Sequence, residues 1–235
     1  MFRGEAQILW QLLRGQAKHG THKEKLENFY SPQAAHYDRF REKLLPGRAR
    51  MLEALALRPG QHVVELGGGT ARNLDFLEPE IRASMAKIDV IDLCPALVNQ
   101  ARKRCDSWHN VAVIEDDATQ FDPGVKVDRV YLSYALTMIP DWQSALRNAY
   151  RMLKPGGMLG IVDFHVRNGK NLSALDRSID RFWRTWFGHD GVMLDAAHLP
   201  YLTGLFETHH KEERESRVPY VPIFSVPYYI FVGRK

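Results

Sequence analysis

From about residue 60 onward, short apolar runs alternate with stretches of helical spacing, and that alternation leaves few folds open. His62-Val-Val-Glu-Leu66, Ala86-Lys-Ile-Asp-Val-Ile-Asp92, Val111-Ala-Val-Ile114, Val127 to Ser133 and Met158 to Phe164 read as five strands. Their apolar residues run together rather than falling at every second position, as parallel strands covered on both faces require. Arg72 to Ser84, Pro95 to Cys105 and Trp142 to Leu153 have helical spacing between them, with Pro95 suited to a first helical turn. The expectation is an α/β chain built on a doubly wound parallel sheet.

The alternation stops after Phe164. Leu172, Leu175, Ile179, Phe182, Trp183, Trp186 and Phe187 give Asn171 to Phe187 a helical spacing, and Asp195 to Phe206 reads as a second short helix. Thr208 to Val218 is a charged, antiparallel edge strand. Val218 to Pro227 is a proline-containing linker, and Tyr228 to Val232 is a final strand. Before the sheet, Leu44 to Leu57 is an amphipathic helix, Glu24 to Tyr37 is polar with aromatic interruptions, and Ile8, Leu9, Leu12 and Leu13 form a stripe beside Trp10. Residues 1–58 are therefore expected to form a helical cap or lid on a domain spanning 59–235, with a helical insertion at about 166–206.

Charge divides at the same boundary. Residues 1–60 carry eleven basic and six acidic residues, a net of +5, whereas residues 61–235 carry 21 and 22, a net of −1. Such asymmetry points to a negatively charged surface or ligand near the N-terminal end, or to a solvated helical face. The two cysteines, Cys94 and Cys105, form no CxxC or Cys/His pattern, so no metal is expected and a reduced, cytoplasmic setting is the simple reading. The most apolar run, Val218 to Val232, is interrupted by three prolines and falls short of the ~20 residues a spanning helix needs. Glu5, Gln7 and Gln11 interrupt the N-terminal apolar pattern, which excludes a signal peptide.

The segment Val63-Val-Glu-Leu-Gly67-Gly68-Gly69-Thr70 is the most informative. A strand gives way to a turn of three glycines, where the backbone can approach a ligand closely. No Walker lysine follows, and Arg72 occupies the place of the third glycine of a dinucleotide fingerprint, so phosphate cradling is disfavoured. The second strand ends at Asp92, where doubly wound folds place the acid that holds a ribose diol. The third runs into Asp116-Asp117-Ala118 and the fourth ends at Ser133-Tyr134, all on the carboxyl edge where ligands bind.

This ordered set resembles the class I S-adenosylmethionine-dependent methyltransferases. Glu65 to Thr70 looks like their first motif, with Ala71 replacing its last glycine. Asp92 looks like their ribose-binding acid, Asp117-Ala118 like the pair beside the adenine, and Leu153-Lys-Pro-Gly-Gly157 like the turn before their fifth strand. The resemblance implies a seven-stranded Rossmann-like methyltransferase sheet with an N-terminal helical cap. It also implies a site for S-adenosylmethionine, with S-adenosylhomocysteine as product, formed by Tyr37, Glu65, Gly67, Gly68, Gly69, Arg72, Asn73, Asp92, Leu93, Asp117, Ala118 and Ser133. Arg72-Asn73 reads equally as helix capping.

A narrower resemblance rests on Phe29-Tyr30-Ser-Pro-Gln33-Ala-Ala-His-Tyr37-Asp38, Gly69-Thr-Ala-Arg72-Asn73-Leu74 and Pro227 to Lys235. These segments look like the methyltransferase component of betaine-lipid synthesis. They imply trimethylation of the amine of diacylglyceryl-homoserine, a partner enzyme that supplies this lipid, and peripheral membrane association. Phosphatidylethanolamine or a small-molecule amine is the alternative acceptor.

Methyl transfer from a sulfonium needs a positioned, neutral nucleophile and little more. Tyr30, Tyr37, Tyr134 and His165 are the candidate catalytic groups. Aromatic faces, Trp183 and Trp186 included, suit a quaternary ammonium product, although both tryptophans also have the spacing of core residues. The basic N-terminal stripe fits an interfacial helix or packing on the sheet domain. A nucleic-acid partner is not expected beside a near-neutral sheet domain.

Overall fold

The computed structural model describes residues 19–31, 44–166, 174–189, 191–218 and 221–235. Its sheet has seven strands: β1 (His62–Leu66), β2 (Lys87–Asp92), β3 (Val111–Glu115), β4 (Val127–Ser133), β5 (Leu153–Phe164), β6 (Glu207–Val218) and β7 (Val221–Arg234). Their order is β3-β2-β1-β4-β5-β7-β6. The first five are parallel; β7 lies antiparallel to β5, and β6 antiparallel to β7. This is the Rossmann-like methyltransferase sheet, and its order reverses between β1 and β4. That switch point opens a crevice at the carboxyl ends of the strands.

Alternate strand residues face opposite layers. Val63, Ile88, Tyr131, Val162 and Ile230 join one core with Met51, Leu52 and Leu55 of α2 (Arg48–Leu55). Val64, Ile91, Leu132, Ile161 and Phe231 join the other with Leu146 of α5 (Trp142–Met152) and Leu202 of α7 (His198–Leu205). Helix α2 lies close against β5, because a Cβ on Gly160 would come within 2.7 Å of the Met51 sulfur. Helices α1 (His22–Tyr30), α3 (Pro79–Ser84), α4 (Pro95–Cys105) and α6 (Ala174–His189) complete the described elements, with 3-10 turns at Arg72–Phe76 and Leu136–Met138.

Two expectations need correction. The helix expected over Arg72 to Ser84 is broken: a 3-10 turn ends at Phe76, Leu77 and Glu78 are extended, and α3 starts at Pro79. Proline disfavours helical backbone in the residue before it, and its ring is accepted at a first turn. The expected linker before Tyr228 is also strand, since β7 begins at Val221 and pairs with β6 along the hairpin. Pro227 lies one residue beyond the last β5–β7 pair, Phe164 with Tyr228. The Pro227 carbonyl still accepts the His165 N–H at 3.1 Å, and at this end of the pairing a missing N–H costs little.

Candidate active site

The crevice is a cavity of about 300 Å³. Its floor is the turn after β1. Gly67 and Gly69 have φ values of +69° and +58°, conformations that favour glycine. A Cβ on Gly67 would sit 2.5 Å from the Ala135 Cβ, and one on Gly68 would sit 2.4 Å from Val90. A Cβ on Gly69 would meet nothing within 4 Å, so this glycine presents bare backbone to the cavity. Ala71, in place of the motif's last glycine, is buried at φ +58° and carries the strain of a left-handed residue.

Asp92 forms the next wall. Gly69 N–H donates to its Oδ2 and Cys94 N–H to its Oδ1, each at 2.8 Å. The carboxylate is thus fixed by backbone donors, with the Leu93 N–H contributing as well, and it keeps acceptor capacity toward the cavity. Burial pushes its pKa upward, against those hydrogen bonds. Leu93 lines the cavity beside it. On the β3 side, Asp117 Oδ1 accepts both the N–H and the hydroxyl of Thr119 at 2.8 Å, and Ala118 adjoins it.

Arg72, Asn73, Ser133 and Tyr134 line the side beneath β4. Arg72 also pairs with Asp75 at 2.7 Å. Tyr134 has φ +54° at the end of β4, and its hydroxyl donates to Pro46 O at 2.6 Å. Burial holds that phenol far above its ordinary pKa, so it stays protonated. Residues 138–141 close the rim, where Met138 and Ile139 are half-buried and Pro140 and Asp141 exposed.

The cap covers the opposite side. His22, Leu26 and Tyr30 of α1, with Leu45 and Arg48, line the cavity. Leu26, Phe29 and Tyr30 pack on Cys94, just before α4, and on Leu97 within it. Glu27 accepts the Ala96 N–H at 3.0 Å and the Cys94 thiol at 3.3 Å, satisfying a donor at the start of α4 from another helix. Glu27→Ala is expected to lower stability by about 1 kcal/mol, read as a shift in the urea midpoint.

Twelve of the anticipated residues therefore meet at one cavity. Tyr37 lies outside the described residues. Glu65 does not line the cavity: it is fully buried beneath the turn, accepting Asn73 Nδ2 at 2.6 Å and the Tyr131 hydroxyl at 2.8 Å. Burial pushes its carboxyl up to about 7. Its role is to hold Asn73, which does reach the cavity. His165 is also set apart; it is buried against Tyr229, with Nε2 3.5 Å from Glu213. Trp183 is packed in the core, its indole N–H on Ser225 O at 2.9 Å, whereas Trp186 is exposed.

The sequence reading missed Arg48 and His22. Arg48 is buried, donates Nε to Leu45 O at 3.1 Å, and stacks its guanidinium over Phe76 at 4.8 Å. His22 is half-buried, and that burial lowers its pKa while Asp117 opposes the shift. Neither carried a local signal, because both enter the cavity through packing of the cap on distant elements. Among the described residues no three His, Cys, Asp or Glu side chains are placed to hold a metal ion.

Comparison with known proteins agrees with this geometry. Residues 63–157 match a family described as a methyltransferase domain. The ubiquinone/menaquinone biosynthesis C-methyltransferase UbiE of Coxiella burnetii (strain Dugway 5J108-111) is 26% identical over 150 residues, which are 60% of each chain. The chain thus aligns with about three fifths of the length of such curated relatives. Among solved structures, the N-methyltransferase NodS of Bradyrhizobium japonicum WM9 in complex with S-adenosyl-L-homocysteine superposes with a TM-score of 0.66 at 18% identity, covering 92% of this chain and 99% of that one. A Haemonchus contortus phosphoethanolamine N-methyltransferase 2 does so with a TM-score of 0.70 at 15% identity, covering 93% and 61%. The sheet order and these neighbours give the chain the Rossmann-like methyltransferase fold, and residues 63–157 within it match the methyltransferase-domain family.

Proposed function

We propose that this chain is an S-adenosylmethionine-dependent N-methyltransferase whose acceptor is the amine of a lipid head group, and specifically that it trimethylates diacylglyceryl-homoserine. The observation that carries the cofactor reading is Asp92. A carboxylate oriented by backbone N–H groups at the end of β2 and lining the cavity matches a vicinal diol. Gly69 leaves room beside it for close backbone contact. Arg48 and Arg72 supply cations for an amino-acid carboxylate, and Asp117 with Ala118 suits an adenine edge and face.

When bound, the cofactor supplies a methyl group already activated on sulfur. What remains for the protein is to align a neutral amine in line with it and exclude water. Bond formation from the amine nitrogen to the methyl carbon would return the carbon–sulfur pair to sulfur; the first two transfers would each release an amine proton to solvent at the rim, and the third, to a tertiary amine, would release none. Tyr134 serves through its ring, since its hydroxyl is committed to Pro46 and stays protonated. With Tyr30 it offers aromatic faces to the growing positive charge. Solved neighbours named as N-methyltransferases support transfer to nitrogen. Transfer to carbon of an apolar ring is the second reading. The name of the sequence relatives favours it, as does the apolar rim of Met138, Ile139 and Pro140.

Membrane contact through the basic N-terminal segment belongs to this proposal too, although residues 1–18 lie outside the described residues. A head-group panel tests the substrate: diacylglyceryl-homoserine, phosphatidylethanolamine and free ethanolamine, each with S-adenosylmethionine and products read by mass. The homoserine lipid is expected to gain up to three methyl groups. Methylation of phosphatidylethanolamine alone would replace that head group with the alternative.

A further inference from the structure

The second half of α6 presents aromatic rings to solvent beside the site. Phe182 is 38% exposed and Trp186 43%, and Met193, just beyond the helix, is 41% exposed. These are three of the four large hydrophobic side chains exposed among the described residues. Phe182 and Trp186 pack with ring centroids 5.8 Å apart. The opposite flank of the helix carries Arg177, Arg181 and Arg184, all exposed and spaced i, i+4, i+7. Asp180 is buried, so the exposed charged groups among the described side chains of α6 are all cationic or histidine.

A chain of packed rings, buried or half-buried beyond Phe182, links this surface to the cavity. Phe182 packs on Trp183 at 5.1 Å, Trp183 on Phe187 at 5.3 Å, Phe187 on Phe164 at 4.7 Å, and Phe164 on Tyr134 at 4.7 Å. Tyr134 lines the cavity. Met193 N–H donates to Thr137 O at 2.7 Å, which sets Met193 against the segment that forms the apolar rim. No helix among the described residues is long and apolar enough to cross a bilayer.

We propose that the α6 face bearing Phe182 and Trp186, together with Met193, docks on an anionic lipid bilayer and holds the cavity rim at the head-group layer. Aromatic rings favour the boundary between acyl chains and head groups, and arginines reach anionic phosphates by extending along the surface. Each cation near such a surface adds about 1 kcal/mol. The inference rests on the lipid-amine reading and adds α6 to the N-terminal segment as a docking element.

The test is co-sedimentation of the full chain with vesicles of phosphatidylcholine and phosphatidylglycerol, beside vesicles of phosphatidylcholine alone. Phe182→Ser with Trp186→Ser should weaken binding to the mixed vesicles about tenfold or more, and Arg177→Glu with Arg181→Glu should remove the preference for anionic lipid. Binding of S-adenosylhomocysteine and methylation of a short-chain, monomerically dissolved homoserine lipid should match the unaltered protein in both variants. Unchanged vesicle binding in the ring variant overturns the proposal. So does binding lost on deleting residues 1–18 but kept in the ring variant, or a ring variant that changes only self-association. If no amine is methylated while vesicle binding still depends on the two rings, the lipid-amine reading fails and the docking surface stands.

Discussion

Replacing Asp92 with Ala should weaken S-adenosylhomocysteine binding about a hundredfold, because two hydrogen bonds from hydroxyls to a carboxylate are lost at ~1.5 kcal/mol or more each. The substitution also strips the Gly69 and Cys94 N–H groups of their acceptor. Asp92→Asn is therefore the companion variant: it keeps an acceptor oxygen and should fall between the two. Calorimetry of both, on protein whose thermal unfolding remains cooperative, decides the matter. A dissociation constant within threefold of the unaltered protein would remove Asp92 from the site.

The second large effect is on stability. The Glu65 carboxyl is held near 7 by burial, with a hydrogen bond from Asn73 and another from Tyr131 pulling the other way. Between its unfolded pKa and 7 the folded protein binds a proton that the unfolded chain does not, so stability falls as pH rises through that window. The loss is on the order of 3 kcal/mol at 1.36 kcal/mol per unit. Asp163, raised to about 6 by burial, contributes in the same direction over a lower window. Glu65→Gln keeps the shape without the charge, so it should be more stable than the unaltered protein at pH 8 and show a flatter decline between pH 5 and pH 8. Urea titrations across that range measure it; equal slopes would mean that Glu65 is solvated or paired in the folded protein.

Five strands, the glycine turn and Asp92 were legible in the sequence because doubly buried parallel strands leave continuous apolar runs, and because the turn's shape demands glycine locally. The alternation of strand residues also places Glu65. Val64 and Leu66 face the α5 layer, so Glu65 must point with Val63 into the other core, beneath the turn rather than into the cavity. The proline that splits Arg72 to Ser84 was equally in view. The cap was not legible, since Glu27 meets Ala96 and Tyr134 meets Pro46 across 69 and 88 residues. Arg48 reads from sequence as one cation on an amphipathic helix. Only the packing of α2 on β5 carries it to the cavity.

The central claim is transfer of a methyl group from S-adenosylmethionine to nitrogen. It is tested most directly by giving the protein donor labelled with carbon-13 in the methyl group, together with diacylglyceryl-homoserine, and reading the label's attachment by nuclear magnetic resonance. The expected result is label on a quaternary nitrogen, with one S-adenosylhomocysteine formed per methyl group. Label on carbon, or no transfer by a folded protein that binds the donor, would contradict it.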